Sequence, residues 1–515
     1  MAPPMECIAW STMASPPLGL KYRASSWFAV LTVTCAVFTD IFLYGVIVPV
    51  IPFALEQRAH ADPGRVQYWV SILLAVYGAG LLVFSPICGW FSDRISARRW
   101  PLLLGLIALT GATVMLNVGT SIAVLVVGRL LQGISAAVVW VVGLALLVDT
   151  IEENRLGQYM GYVSLGMSLG LLIAPLLGGV VFQRAGYNAV FAICYAFIVL
   201  DFLFRIFFIE KKDAMKWLDQ PGSTATATTT AAATCPATDL ADDVTSTVIT
   251  TTSSVPEESS EARRIHASGC EDREKGSSTS ARPTRHENRT VNDDSTVEVK
   301  KSRLPAFVTL LASRRLLASL FACLVEAALI ASFDSVLPLF VYQTFHWYSL
   351  QAGILYLAIV IPSFVSPVVG YLCDRYGPRW LATAGFVCAA PLFVLLRLVN
   401  HNSTGQKVLL AALLALIGLA LTSTFQPLMA EISYVVSAKE KARPGAYGKG
   451  GAYAQAYGLF NMAWAGGALV GPIWAGFIEK QAGWGTMAWS LGLLSGLTAI
   501  PTAIWVGGSI TRKKD

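Results

Sequence analysis

Among the ionisable residues inside apolar runs of this sequence, Asp40, Arg129, Glu326 and Asp334 are the candidates for chemistry, whereas Asp201, Arg205, Arg397 and Glu431 read as structural. A charge in hydrocarbon is costly, so such residues persist where charge is bound, exchanged or paired. A desolvated carboxyl favours its neutral form, which suits it to loading and releasing protons. Tyr44 lies one turn from Asp40 on the same helical face, and Gln132 lies close to Arg129. Asp40 facing Arg129 is the expected pair. Glu326 and Asp334 are about two turns apart and share a broad face, with Asp334 nearer a mouth. Gln426, Asn461 and Trp464 are polar or aromatic positions in the second half, expected to contact a solute.

A second set of charges lies between runs. Gly89-Trp-Phe-Ser-Asp93-Arg94-Ile-Ser-Ala-Arg98-Arg99 has a second copy at Gly370-Tyr-Leu-Cys-Asp374-Arg375-Tyr-Gly-Pro-Arg379, with the same offset from Gly89 to Gly370 as from Asp93 to Asp374. The pattern predicts a latch. Asp93 is expected to cap the helix that follows it. The arginines are expected to pair with Asp149, Glu152 or Glu153 at about 0–1 kcal/mol each, as surface pairs do.

The elements that position these residues follow from composition. The chain has 515 residues, 55% hydrophobic and 14% charged, with a mean hydropathy of +0.58. Soluble domains carry roughly 25% charged residues. Apolar runs of about 20 residues recur at 27–53, 68–91, 100–118, 121–148, 158–182, 187–209, 315–342, 350–372, 380–399, 407–436, 450–477 and 484–508, each long enough to span a bilayer as a helix. The fold class is therefore an all-α polytopic membrane protein, with twelve transmembrane helices in two six-helix bundles. The parts are a tail at 1–26, a bundle at 27–210, a linker at 211–305, a bundle at 306–508 and a tail at 509–515.

Lys and Arg concentrate on one side of the spans, which places both termini and the linker in the cytosol. The linker is rich in Thr and Ser and too poor in apolar residues to pack a core, so disorder is expected. Its edges, 211–218 and 303–315, mix basic and apolar residues and suit helices at the membrane surface. The net charge of +6 sits in short loops without stacking aromatics, which argues against a nucleic-acid partner. The nine cysteines fall largely within apolar runs and read as buried hydrophobes. Neither a metal-ligand cluster nor a nucleophile–base pair stands out, so no cofactor, metal or enzymatic activity is expected.

A second repeat completes the case for duplication. Gly161, Gly170, Ala174-Pro175 and Gly178-Gly179 are matched at identical spacing by Gly458, Gly467, Gly471-Pro472 and Ala475-Gly476. Small residues one turn apart let helices approach closely, and the prolines bend them.

These motifs resemble those of the major facilitator superfamily. The charged loops resemble its cytoplasmic loop motif, and 161–179 resembles the antiporter motif of its twelve-span drug:proton antiporters, with Ala174 in place of the usual Gly. Arg129-Leu-Leu-Gln132-Gly133 resembles that family's fourth-span motif. Asp40 to Pro52, and Asp334-Ser-Val-Leu-Pro338, resemble the vesicular amine transporter branch. The resemblance implies a proton- or cation-binding role for Asp40 and proton coupling through Arg129. That branch carries acids in its tenth and eleventh spans, where Thr422 and Tyr457 stand here. Coupling would then rest on Asp40, Glu326 or Asp334. The resemblance implies proton-coupled efflux of a drug, toxin, secondary metabolite or amine by a monomer in the bilayer, the proton gradient supplying energy and the plasma membrane favoured over vacuole or vesicle. A facilitator or importer of the same fold, or a membrane scaffold using the linker, is the alternative.

Overall fold

The computed structural model describes residues 17–47, 50–60, 62, 65–95, 97–218, 306–347, 349–444 and 451–508. Most of the expected disordered linker and both outer tails lie outside the described residues. Among the described residues every regular element is helical. The first six crossings are α1 (Ser26–Ile47), α2 (Val66–Ser92), α3 (Arg99–Val118), α4 (Ile122–Thr150), α5 (Leu156–Ala185) and α6 (Tyr187–Phe207). The second half begins with α7 (Arg314–Phe345). Next, α8 runs from Ser349–Val360 through a 3-10 turn at Ile361–Val365 into Ser366–Tyr376. Pro362 and Pro367 each remove a backbone donor there, which accounts for the tightened turn. Then come α9 (Pro378–Leu395) and α10 (Thr404–Ala442).

Eleven described helices are long and apolar enough to cross a membrane. The last of them, Tyr453–Trp505, runs 53 residues and contains Gly483 at φ 81°, ψ 169°. That left-handed backbone breaks the helix, so its two legs, 453–482 and 484–505, count as α11 and α12. The expected number of crossings is thereby met. The first is shorter than expected, since α1 stops at Ile47 and a separate short helix covers Ile51–Gln57.

The packing repeats between halves. Helix α1 packs on α5 and α7 on α11; α3 packs on α4 and α9 on α10. Large apolar side chains such as Leu104, Ile107, Val408, Ile473 and Phe477 remain exposed, which is the pattern of a surface solvated by hydrocarbon. Between the halves, α2 lies against α11 and α5 against α8. The linker edges form helices at Lys211–Leu218 and Ala306–Leu311. They rest on the protein. Ala214 is buried with Leu20 and Ile209, and Leu310 is buried in the main core.

Candidate functional site

Helices α5 and α11 begin at the charged-loop end without a capping side chain of their own. Their first N–H groups would be orphans. The acids of the two charged loops supply the missing acceptors, each from the opposite half. Asp93 accepts from the backbone N–H of Ala454 at 3.1 Å and Gln455 at 2.9 Å, and from the Gln455 side-chain amide at 3.3 Å. Asp374 accepts from the backbone N–H of Gly157 at 2.7 Å and Gln158 at 2.8 Å, and from the Tyr434 hydroxyl at 3.1 Å. A carboxylate on a helix N-terminus joins charge-assisted bonds to the helix dipole.

This corrects the expectation that Asp93 caps the helix next to it. The start of α3 is taken by Glu210, which accepts the Arg99 backbone N–H at 2.7 Å. Asp93 is thereby left to reach across the molecule. The strength expected of the latch also changes. Arg98 bonds Asp93 at 3.1 Å and Asp149 at 3.1 Å, and the Arg98 and Asp93 side chains are only 2% and 3% exposed. A pair this dry is not a surface pair, and removing one partner of such a pair costs about 3–5 kcal/mol. Burial pushes the Asp93 carboxyl above the usual carboxylate range, while Arg98 and the two backbone N–H groups pull it back. The other loop arginines serve elsewhere. Arg94 stacks on Trp90 at 3.6 Å, Arg99 donates to the Ile206 carbonyl at 2.6 Å, Arg379 donates to the Val506 carbonyl at 2.7 Å, and exposed Arg375 lies over Tyr376. Glu153 pairs with Lys441 of the opposite half at 2.7 Å.

The loop glycines make these crossings possible. A β-carbon on Gly89 would stand 2.5 Å from the Ala454 carbonyl oxygen, and one on Gly370 would strike the Gly157 carbonyl. One level deeper, Gly458 meets Ser85-Pro86 of α2 and Gly161 meets Ser366-Pro367 of α8. The rest of the antiporter-type repeat packs within each half. Gly170 and Gly178 lie against α1, and Gly467 and Gly471 against α7. Gly179 faces open space, so it is not part of a close approach. Pro175 and Pro472 sit inside their helices at matching places.

The interior acids occupy equivalent places in the two halves. Gly170 meets the Phe38 carbonyl and the Ile41 side chain; Gly467 meets the Leu324 carbonyl and the Ala327 side chain. Asp40 and Glu326 stand at the same position within these two pairs. Both are fully buried, and neither carboxylate has a hydrogen-bond partner. The indole of Trp140 comes within reach of Asp40, and the Thr424 side chain within reach of Glu326, without either completing a bond. The expected Asp40–Arg129 pair is absent. The arginine within electrostatic reach of Asp40 is Arg205, which is itself held by Asp201 at 2.6 Å. The phenol of Tyr77 is within electrostatic reach of both Asp40 and Arg129.

Arg129 instead donates to the Gln132 side-chain carbonyl at 2.8 Å and lies over the Tyr44 ring at 5.7 Å. Tyr44 stacks near Tyr77 at 4.6 Å and is within electrostatic reach of Asp334 in the other half. Asp334 is exposed, unlike Glu326, and accepts from the Tyr356 hydroxyl. The positions expected to touch solute divide. Trp464 is half-buried and packs on Phe425 at 4.8 Å, and Gln426 is buried with its side-chain carbonyl unpartnered. Asn461 donates to the Ser85 hydroxyl at 2.8 Å, so it ties α11 to α2.

Several participants escaped the sequence reading: Tyr77, Tyr356, Glu210, and the Ser-Pro pairs at 85–86 and 366–367. The Ser-Pro pairs were findable, since they keep the offset of the charged loops. Tyr77 and Tyr356 carry no such signal in an aromatic-rich chain.

Residues 33–448 match the family model described as Major Facilitator Superfamily. The MFS-type transporter ppzB of Metarhizium rileyi is 31% identical over 498 residues, covering 95% of this chain and 97% of that protein. The vesicular acetylcholine transporter of Drosophila melanogaster is 30% identical over 208 residues, 36% of each chain. In fold, the chain is similar to the crystal structure of the human organic anion transporter MFSD10, at a TM-score of 0.61 and 15% identity, covering 95% of this chain and 100% of that one.

Proposed function

The chain belongs to the major facilitator superfamily of multi-pass membrane transporters, and from that premise we propose that it exports a small organic solute in exchange for protons by alternating access. The observation that carries this reading is the pair of buried, unpartnered carboxyls, Asp40 and Glu326, one in each half at equivalent places. A structural acid would be paired. An acid without a partner in a dry interior is suited to taking and giving up a proton. The reciprocal latch supports the alternating part. With Asp93 and Asp374 seated, the charged-loop end is shut, and exposed Asp334 on α7 marks the open approach to the centre. The Lys and Arg bias puts the shut end in the cytosol, so this is the state that faces outward.

Export is favoured over import by the antiporter-type repeat, whose glycines seat α5 on α1 and α11 on α7. Likeness to a vesicular acetylcholine transporter over part of the chain fits a small organic solute. In this reading the protein works as a monomer at the plasma membrane without a bound cofactor. The test begins with an export screen across chemical classes in an efflux-deficient host, followed by reconstitution with an exported compound. Uptake into proteoliposomes should rise with an imposed pH gradient. Uptake indifferent to the gradient would leave a facilitator instead.

A further inference from the structure

The Arg129–Gln132 pair has more donors than acceptors. Arg129 and Gln132 are both fully buried. One guanidinium N–H donates to the Gln132 side-chain carbonyl, which is the only acceptor group in the pair. What remains is the Arg129 Nε, its second terminal nitrogen and the Gln132 amide nitrogen, and none of the three has a partner. They belong to two hydrogen-bonded side chains one turn apart on α4, so they point into a common neighbourhood. The charged or ionisable groups within electrostatic reach are the phenols of Tyr44 and Tyr77. Among the described residues no carboxylate reaches ion-pair distance of Arg129. Asp40 is within electrostatic reach of Tyr77, and Asp334 of Tyr44, but neither acid is among the groups acting on Arg129.

Buried donors left unmade are expensive, and a buried arginine doubly so. Where other arginines of this protein are buried, the chain supplies their acceptors. Arg98 has Asp93 and Asp149, and Arg205 has Asp201 and the Leu102 carbonyl. Arg129 differs because its tyrosine neighbours, Tyr44 and Tyr77, belong to a cluster that spans the two halves. Tyr77 packs with Ala465 of α11, and Tyr44 flanks the same cluster. The guanidinium fork matches a planar, two-oxygen anion better than any other common group.

We propose that Arg129 and Gln132 receive an acidic group of the transported solute, a carboxylate or an enolate, with the Tyr44 and Tyr77 rings as its flanking walls. The assignment rests on the reading of this chain as a transporter of organic solutes and adds the class of solute. It differs from a proton-coupling role, which would ask for a cavity carboxylate beside Arg129.

The test uses the purified full chain in lipid nanodiscs with three acids, benzoate, salicylate and fluorescein, each paired with its methyl ester. Binding is read by thermal shift and tryptophan fluorescence. At least one acid should bind about tenfold or more tightly than its ester, the scale of a charge-assisted contact. Arg129→Gln should remove that preference. If that variant fails to fold, Gln132→Glu carries the question. It supplies an acceptor from within, so it should raise the melting temperature and abolish acid binding. Esters binding as well as acids, no acid binding at all, or Gln132→Glu binding acids unchanged would each overturn the assignment. Acid binding dependent on Arg129, without gradient-driven transport, would uphold it and remove the antiport reading. Gradient-driven transport of esters or amines alone would do the reverse.

Discussion

At the scale of single residues, the two interior acids are distinguished by what they lack. Asp40 and Glu326 have no hydrogen-bond partner and no exposure. Neutral isosteres should therefore fold, because they remove a cost rather than a contact. Glu326→Gln and Asp40→Asn should each reduce gradient-driven transport about tenfold or more, equivalent to about 1.4 kcal/mol. Solute exchange in the absence of a gradient should persist in both. Equal loss of both activities would assign these acids to solute binding or folding instead. Both residues were legible in the sequence as charges within apolar runs. Their partners were not. The pairing of Asp40 with Arg129 is reasonable along the chain, but Arg205 is the arginine within electrostatic reach of Asp40, and the Tyr77 phenol is within reach of both expected partners. Depth along a helix can be read from sequence, whereas the face a long side chain turns to its neighbours depends on packing.

At the scale of elements, the central device is the pair of uncapped helices finished by acids from the opposite half. Asp93→Asn places an amide NH₂ among donors and removes one of the two carboxylates that pair with Arg98. It should slow transport several-fold while solute affinity stays unchanged. Asp374→Asn should do the same by the same route. The two acids share no partner, so the effects of the double variant should add in free energy. A double variant no slower than either single one would mean that only one crossing gates. The glycine beneath each crossing gives a second check. A side chain at Gly161 meets the Ser366 carbonyl oxygen, which would stand 2.5 Å from its β-carbon. Gly161→Leu should hold the charged-loop end apart. In a cysteine-free background, Glu153→Cys and Lys441→Cys should be bridged by a short bis-maleimide in the parent, and Gly161→Leu should lower the yield. The sequence showed the charged loops and their repeat plainly. It pointed Asp93 to the wrong helix, because a loop acid next to a helix start is the ordinary local cap. Glu210, far along the chain, already held that place.

At the scale of the whole molecule, each half finishes a helix of the other, and each carries a buried acid at the same place in its first helix. The helix count and the two-fold plan were legible, because hydrocarbon demands long apolar helices and duplication leaves matching offsets. The state was not legible, since shutting one end depends on contacts between residues hundreds of positions apart. On the proposed reading, the arrangement ties solute movement to proton movement. That link can be measured with an exported compound and a pH-sensitive dye sealed inside proteoliposomes that start without a gradient. Solute driven inward should draw protons outward, so the interior should turn alkaline, and Glu326→Gln should abolish the change. Solute entering the parent's vesicles with no change of internal pH would contradict proton exchange.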